Sequence, residues 1–285
     1  MLTNFEILKK IGLTSLETRV VFNKKTRDND DLIVYKDELS GVIYMGEHYT
    51  GDDTYIEGTY RGDDSLNLER LADADRRFEK NKQFVVGKDI LDFGCGAGDF
   101  LNLSKHSASS VQGVELQANY IDSLQKSGIS CTSKLSNIKD NSVDSCFSFH
   151  VIEHLPDPVS ILKEIKRTLR PDGLVIIEVP HANDLLLSML ESDNFKQFTL
   201  WSQHLVLHTR DSLERLLRFC GFIDITVQSA QRYSLANHMN WMQNGLPGGH
   251  KTLLSVLENK ALKAEYENAL ASINACDTLV VYAKN

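Results

Sequence analysis

The sequence predicts an α/β fold in which a mainly parallel sheet of seven strands carries helices on both faces. After Gly87, short apolar runs alternate with amphipathic segments, which is typical of βαβ units. Helix stops support this register, because Arg170-Pro-Asp-Gly173 and Cys220-Gly221 each stand between a helical pattern and a strand pattern. A chain of 285 residues can hold one such domain with an appended piece.

Seven apolar runs are the strand candidates, and most are separated by segments with helical periodicity. The predicted strands are Asp89 to Phe93, Ser110 to Leu116, Ser130 to Ser133, Val143 to His150, Leu174 to Val179, Phe222 to Val227 and Thr278 to Tyr282. The predicted helices are Asp99 to Lys105, Ala118 to Lys126, Val159 to Leu169, Asp211 to Cys220 and a long one from Lys251 to Ala271.

Residues 1–86 differ from the rest, and we predict an N-terminal extension or cap on a main domain at residues 87–285. Two β-prone runs, residues 32–35 and 42–45, flank a turn-rich spacer and predict a hairpin. A tyrosine-rich loop follows, and then a helix from Ser65 to about Lys82. We expect an insert within this domain, at about residues 229–272, on the substrate side.

Composition excludes some classes of function. The 31 basic and 39 acidic side chains give a net charge of −8 without a basic run, which disfavours nucleic acid as the substrate. No segment approaches the roughly 20 apolar residues of a membrane span, and the first residues lack a signal-peptide pattern, so we expect a cytoplasmic protein. Five scattered cysteines argue against a disulfide framework and a structural zinc site.

A glycine-rich turn follows the first predicted core strand. Gly94, Gly96 and Gly98 alternate with other residues before a helix, and their missing Cβ atoms let backbone approach a ligand closely. Glu115 stands at the end of the next predicted strand, where a carboxylate can accept from both ribose hydroxyls. The pattern predicts a nucleotide-like ligand at the edge of the sheet.

A nicotinamide-dependent oxidoreductase is the competing enzyme hypothesis. Its dinucleotide fingerprint needs glycine or alanine at position 99, where Asp99 places a negative charge at the helix N-terminus that should hold a pyrophosphate. S-adenosylmethionine has no phosphate and carries a sulfonium, so an acidic loop suits it better. A cofactor-binding subunit without catalysis is the third hypothesis.

Four segments resemble those of class I S-adenosylmethionine-dependent methyltransferases. They are Leu91-Asp-Phe-Gly-Cys-Gly-Ala-Gly98, Gly113-Val-Glu115, residues 141–155 and residues 170–180. The pattern is similar to small-molecule methyltransferases such as the ubiquinone-biosynthesis O-methyltransferases and bacterial surface-saccharide methyltransferases. The resemblance covers about residues 87–228 and implies a Rossmann-like fold.

The resemblance implies that S-adenosyl-L-methionine is the cofactor. It places the cofactor on Asp92, Gly94, Cys95, Gly96, Gly98, Glu115, Leu116 and the backbone at His150, with Tyr49 as a lid candidate. Relatives usually carry an acid after the third strand, but this chain reads Ser133-Lys-Leu-Ser-Asn137. Adenine recognition is therefore left to Ser133, Asn137 or backbone.

Methyl transfer to a hydroxyl requires an oriented acceptor and a base, and histidine suits that task near neutral pH. We predict His154 and His204 as catalytic residues. The substrate-side candidates are His181, Asn183, His208 and Trp241. No H-E-x-x-H pattern is present, so no metal is predicted. The expected reaction is methylation of an oxygen of a small polar metabolite or saccharide-linked group, with nitrogen or carbon acceptors as alternatives and the oligomeric state open.

Overall fold

The computed structural model describes residues 3–46 and 64–285, with side chains from residue 68 in the second range. Its centre is a seven-stranded sheet in the order β10-β11-β8-β7-β4-β5-β6. Only β11 runs antiparallel to its neighbours, so the predicted Rossmann-like sheet is confirmed. The strands are β4 (Asp89–Phe93), β5 (Ser110–Val114), β6 (Ser130–Thr132), β7 (Val143–Phe149), β8 (Leu169–Pro180), β10 (Ile223–Ala230) and β11 (Thr278–Lys284).

Successive side chains of the central strands enter two separate cores, as the period of two requires. Leu91, Cys146 and Val175 face one core, whereas Ile90 and Phe147 face the other. The helices α5 (Pro158–Thr168) and α7 (Arg210–Phe219) cover the first face, and α3 (Asp99–Ser104) and α4 (Ala118–Lys126) cover the second. Helices on both faces match the predicted layer architecture.

Helix α7 illustrates how sequence places these elements. Thr209 caps its N-terminus, because its side chain accepts from the backbone N–H of Ser212. Leu213, Leu216 and Leu217 fall three and four residues apart and are fully buried against the sheet. Each such leucine contributes about 1.5–3 kcal/mol by leaving water. Truncation of any of the three should therefore loosen this face of the sheet.

A second, antiparallel sheet joins the N-terminal segment to the core. Its order is β1-β2-β3-β9, with β1 (Arg19–Asn23), β2 (Val34–Asp37), β3 (Ile43–Met45) and β9 (Val206–Leu207). The predicted hairpin is β2 and β3, whereas β1 and the preceding helix α1 (Asn4–Ile11) were not expected from the sequence. Because β9 lies between β8 and α7, the N-terminal segment packs directly on the part of the chain that forms the seven-stranded sheet.

Four further α-helices belong to the described chain: α2 (Asp64–Asn81), α6 (Asp193–Thr199), α8 (Leu235–Asn244) and α9 (Lys260–Ser272). The predicted long helix from Lys251 is wrong at its start. Asn259 accepts from the backbone N–H of Leu262 and caps α9, and short 3₁₀ turns precede it. Across residues 3–46 and 64–285, none of the helices has both the length and the apolar character to cross a bilayer.

Candidate active site

The three loop glycines lie between β4 and α3 and have left-handed backbones, with φ of 76°, 52° and 74° at Gly94, Gly96 and Gly98. A Cβ atom on Gly94 would lie 2.4 Å from Cγ2 of Val151, and one on Gly98 would lie 2.2 Å from Cδ2 of Leu124. Nothing lies within 4 Å of the same position on Gly96. Packing therefore requires the outer two glycines, and the middle one borders open space that a ligand can enter.

These contacts predict that alanine variants of Gly94 and Gly96 behave differently. In Gly96→Ala the new side chain meets no neighbour, but alanine disfavours the left-handed backbone at this position. The unfolding free energy should therefore fall by about 1 kcal/mol. In Gly94→Ala the unfolding free energy should fall by about 2 kcal/mol or more, since the added Cβ also overlaps Val151. Urea unfolding measures the stabilities, and calorimetry with S-adenosylhomocysteine should find weakened binding in Gly96→Ala. Equal destabilisation of the two variants would contradict this division of roles.

Glu115, at the end of β5, is tied to the glycine loop. Its Oε2 accepts from the backbone N–H of Gly96 at 2.8 Å, and its Oε1 accepts from Leu116 and Gln117 at 2.8 and 2.9 Å. A carboxylate has about four acceptor positions, so Oε2 can still take one more donor. The predicted ribose contact is thus compatible with a carboxylate that also orders the loop.

Asp92 precedes the loop in β4, pairs in register with Gly113 and Phe147, and is only 3 % exposed. Its Oδ1 lacks a hydrogen-bond partner within residues 3–46 and 64–285. Burial raises the pKa of this carboxyl to about 7, with Arg77 opposing and Glu115 adding to the rise. A buried acceptor without a donor fits a ligand that brings a cationic donor, as the amino-acid end of the cofactor does.

The other predicted cofactor residues surround this edge. The Leu116 side chain is 44 % exposed next to Glu115, which leaves an apolar face for a flat ring. Cys95 is a free thiol 4.0 Å from the sulfur of Cys131. His150, directly after β7, has a left-handed φ of 57°, and its N–H donates to the Glu178 carbonyl. Tyr49 falls outside the described residues, and all these cofactor contacts stay predictions.

A cleft of about 570 Å³ opens at the carboxyl edge of the sheet, beside β7 and β8. This volume suits a small organic molecule. Arg70 lines the cleft and forms an ion pair with Asp99, the first residue after the glycine loop, so the cleft lies next to the predicted cofactor site. Further lining residues include Arg27, Arg77, Phe149, His150, Glu153, His154, His181, Trp201, His204 and Arg232.

The two predicted catalytic histidines meet in this cleft, with ring centroids 5.0 Å apart. Nδ1 of His154 lies 2.7 Å from the Gln203 carbonyl oxygen, and Nδ1 of His204 lies 3.2 Å from that of Thr199. Burial lowers the pKa of His204 to about 3, so this imidazole is neutral at physiological pH. About fifty positions separate the two histidines in the sequence, so only the family resemblance suggested that they share a site.

Glu153 stands beside both histidines and was not among the predicted site residues. Burial favours its neutral form, but a hydrogen bond with His150 and the nearby His154 hold the pKa of this carboxyl at about 2. The carboxylate is 1 % exposed, and its Oε2 has no hydrogen-bond partner in the described part of the chain. The cleft wall therefore contains an ionised, incompletely paired acid.

The substrate-side candidates separate into two groups. His181 lines the cleft, and its Nδ1 lies 2.9 Å from the Cys276 carbonyl, while its buried Nε2 lacks a partner among the described residues. His208 is buried against Ser212, at 3.0 Å, and borders a separate small pocket. Trp241 packs in an apolar core with Phe195 and Phe198. Neither Trp241 nor Asn183 is among the described residues that line the cleft.

A network of arginines and acids joins α2 to the carboxyl edge of the sheet. The sequence-based predictions did not include this network. Arg76 and Arg77 each lie 2.8 Å from Oε1 of Glu178 in β8, and Arg232 pairs with Asp73. Although burial opposes ionisation, Arg77 and His150 hold the pKa of Glu178 well below its usual range. A signal was present in the sequence, since Glu178 interrupts an apolar strand and a buried acid requires a partner.

The fold and the site define a methyltransferase, and comparison with known proteins gives the family. The profile of a family described as methyltransferase domain matches residues 65–227, more than half of the chain. The chain therefore belongs to the methyltransferase-domain family. The predicted family, the Rossmann-like fold and S-adenosylmethionine as cofactor are confirmed at this level. The match includes most of α2, whereas the division of the chain at residue 86 stays a prediction.

Individual relatives are more distant. The ubiquinone biosynthesis O-methyltransferase of Actinobacillus pleuropneumoniae serotype 7 (strain AP76) is 28% identical over 105 residues, covering 32% of this chain and 45% of that protein. The chain thus matches less than half the length of this curated relative. A methyltransferase structure from Archaeoglobus fulgidus aligns with a TM-score of 0.52 at 17% identity, over 75% of this chain and 94% of that one. Phosphoethanolamine N-methyltransferase 2 of Haemonchus contortus, with S-adenosyl-L-methionine bound, aligns with a TM-score of 0.50 at 20% identity, over 74% and 52%.

Proposed function

We propose that this protein transfers a methyl group from S-adenosylmethionine to a hydroxyl oxygen of a small polar acceptor, such as a metabolite or a saccharide-linked group. The observation that carries the proposal is the pair of unpartnered acceptor atoms in the cleft wall, Glu153 Oε2 and His181 Nε2. Buried lone pairs without donors favour a ligand that supplies hydrogen-bond donors. A hydroxylated acceptor supplies them.

The cofactor, when bound, supplies the methyl group and the thioether leaving group. Glu115 and the Gly96 backbone order the binding loop, and Asp92 offers a buried carboxylate to a cationic donor. The acceptor hydroxyl lies among Glu153, His154 and His204, which can receive its proton or lower its pKa. The ionised Glu153 stabilises positive charge that develops on the histidines beside it.

Methylation of an amine is the second candidate. Glu153 Oε2 could pair with an ammonium group as well as with a hydroxyl, and the cleft also contains Asp184 and Asp277. An amine acceptor must lose its proton before it can attack, which the same acids would oppose. The hydroxyl acceptor is therefore the better fit to a cleft wall in which an ionised Glu153 lies beside a neutral His204.

Matched acceptors test the proposal: polyols, phenols and saccharides against the amines of the same skeletons, with S-adenosylhomocysteine release as the measurement. We expect turnover with a hydroxyl compound, and a loss of about 10²- to 10⁴-fold in kcat in His204→Gln, the range of general-base contributions. His238→Gln, a buried histidine bonded to Tyr266, is the matched control and should retain kcat. Turnover confined to amines would overturn the proposal, as would cofactor binding without turnover of either class.

A further inference from the structure

Three side chains in the cleft converge as metal ligands do. One ligand atom each from Glu153, His154 and His204 lies within 4.8 Å of the other two. Glu153 and His154 come from the turn after β7, and His204 comes from the segment before β9, so the fold rather than the local sequence brings them together. A carboxylate with two imidazoles is a ligand set that Zn²⁺ and other divalent transition metals use.

The orientation of both imidazoles suits coordination through Nε2. Each Nδ1 points to a backbone carbonyl oxygen, of Gln203 for His154 and of Thr199 for His204. A carbonyl accepts but cannot donate, so the proton resides on Nδ1 and the lone pair on Nε2. Metal-binding histidines are commonly held this way, because the carbonyl fixes both the tautomer and the ring plane.

The buried carboxyl group of the site also favours a bound cation. Glu153 is buried, and its Oε2 has no hydrogen-bond partner within the described residues. Two of the arginines that line the cleft are engaged by other acids, Arg77 by Glu178 and Arg232 by Asp73, whereas Arg27 lies over the Trp201 ring. An unpaired buried carboxylate oxygen is costly, and a metal ion bound to it removes that cost.

We propose that Glu153, His154 and His204 bind one divalent transition metal ion, with Zn²⁺ as the probe, and that the cleft side of the ion stays open to an acceptor oxygen. This proposal rests on the proposed function and assigns the two histidines to metal binding instead of proton abstraction. Three protein ligands with an open position are typical of catalytic zinc. The proposal departs from the sequence-based prediction of no metal, because these ligands share no H-E-x-x-H spacing.

The test uses the full chain without a histidine tag, freed of metal by chelation and titrated with ZnCl₂ in a calorimeter. We expect one Zn²⁺ per chain, on the order of 100-fold weaker binding in Glu153→Gln and in His204→Gln, and no change in His106→Gln, an exposed histidine. Co²⁺ absorption of the wild-type chain should report nitrogen and oxygen ligands, whatever the stability of the variants. No stoichiometric binding, or the same affinity in all variants, would overturn the metal site.

The two proposals fail in different ways. If hydroxyl compounds are methylated equally with and without chelator and Zn²⁺ does not bind, the metal site is wrong and oxygen methylation stands. If Zn²⁺ binds through Glu153 and His204 but only amines are methylated, the site stands and the oxygen acceptor is wrong. Zinc titration in the absence of S-adenosylhomocysteine separates both outcomes from any defect in cofactor binding.

Discussion

Replacing Glu115 with alanine should weaken the binding of S-adenosylhomocysteine on the order of 100-fold, equivalent to about 3 kcal/mol. The carboxylate is the one acid at the end of β5 that touches the glycine loop, and its removal takes away both the predicted ribose acceptor and the bond to the Gly96 N–H. The lost backbone bonds should also lower the unfolding free energy by about 1–2 kcal/mol. Calorimetry and urea unfolding measure the two effects separately.

Two further variants separate binding from folding. Glu115→Gln keeps an oxygen for Leu116 and Gln117 but presents an amide NH₂ to Gly96, so binding should fall further than stability. Asp122→Ala removes an exposed acid from α4 and should change neither. Because 5′-methylthioadenosine retains the ribose and lacks the amino-acid end, Glu115→Ala should weaken its binding by the same factor. Unaltered affinity for both ligands would remove Glu115 from the site.

The central sheet and the glycine loop could be predicted because their signals are local. Short apolar runs that alternate with amphipathic segments define β4 to β8, and the glycines directly follow β4. The sequence could not reveal β9, since two residues carry no periodicity and the pairing with β3 joins segments far apart in the chain. For the same reason the contact of His204 with Glu153 and His154 emerges only in the folded chain.

Two substrate-side candidates, Trp241 and His208, are not among the described residues that line the cleft, and local packing accounts for the position of each. Trp241 was expected on the substrate side from its position in an insert. In the structure its ring packs against two phenylalanines, and the burial of its large apolar surface stabilises this position. His208 satisfies Nδ1 on Ser212 inside the α7 cap, so its polarity serves local structure. A histidine or tryptophan near a strand end thus has several possible environments, and the choice among them depends on contacts that sequence spacing does not specify.

Replacing Asp92 with asparagine should remove a pH dependence from both stability and cofactor binding. The pKa of the buried carboxyl is about 7 in the folded chain, above the ordinary value of 3.8, so the fold holds a proton that the unfolded chain releases. Stability from this group is therefore full below pH 4 and falls as pH rises toward 7, by up to about 1.4 kcal/mol per pH unit. Asp92→Asn should be more stable than wild type at pH 8 without cofactor, as urea unfolding would measure.

The affinity for the cofactor product should change with pH in the opposite direction to the stability. The ammonium group of S-adenosylhomocysteine favours the ionised carboxylate, so its affinity for the wild type should rise as pH passes through 7. At pH 8 Asp92→Asn should bind about 10- to 100-fold more weakly, the range for a hydrogen bond between charged groups. Asp184→Asn is the matched control, since burial also raises the pKa of Asp184 to about 7 while its side chain caps residues 185–189. If both variants keep the wild-type pH slope of binding, Asp92 does not contact the amino-acid end of the cofactor.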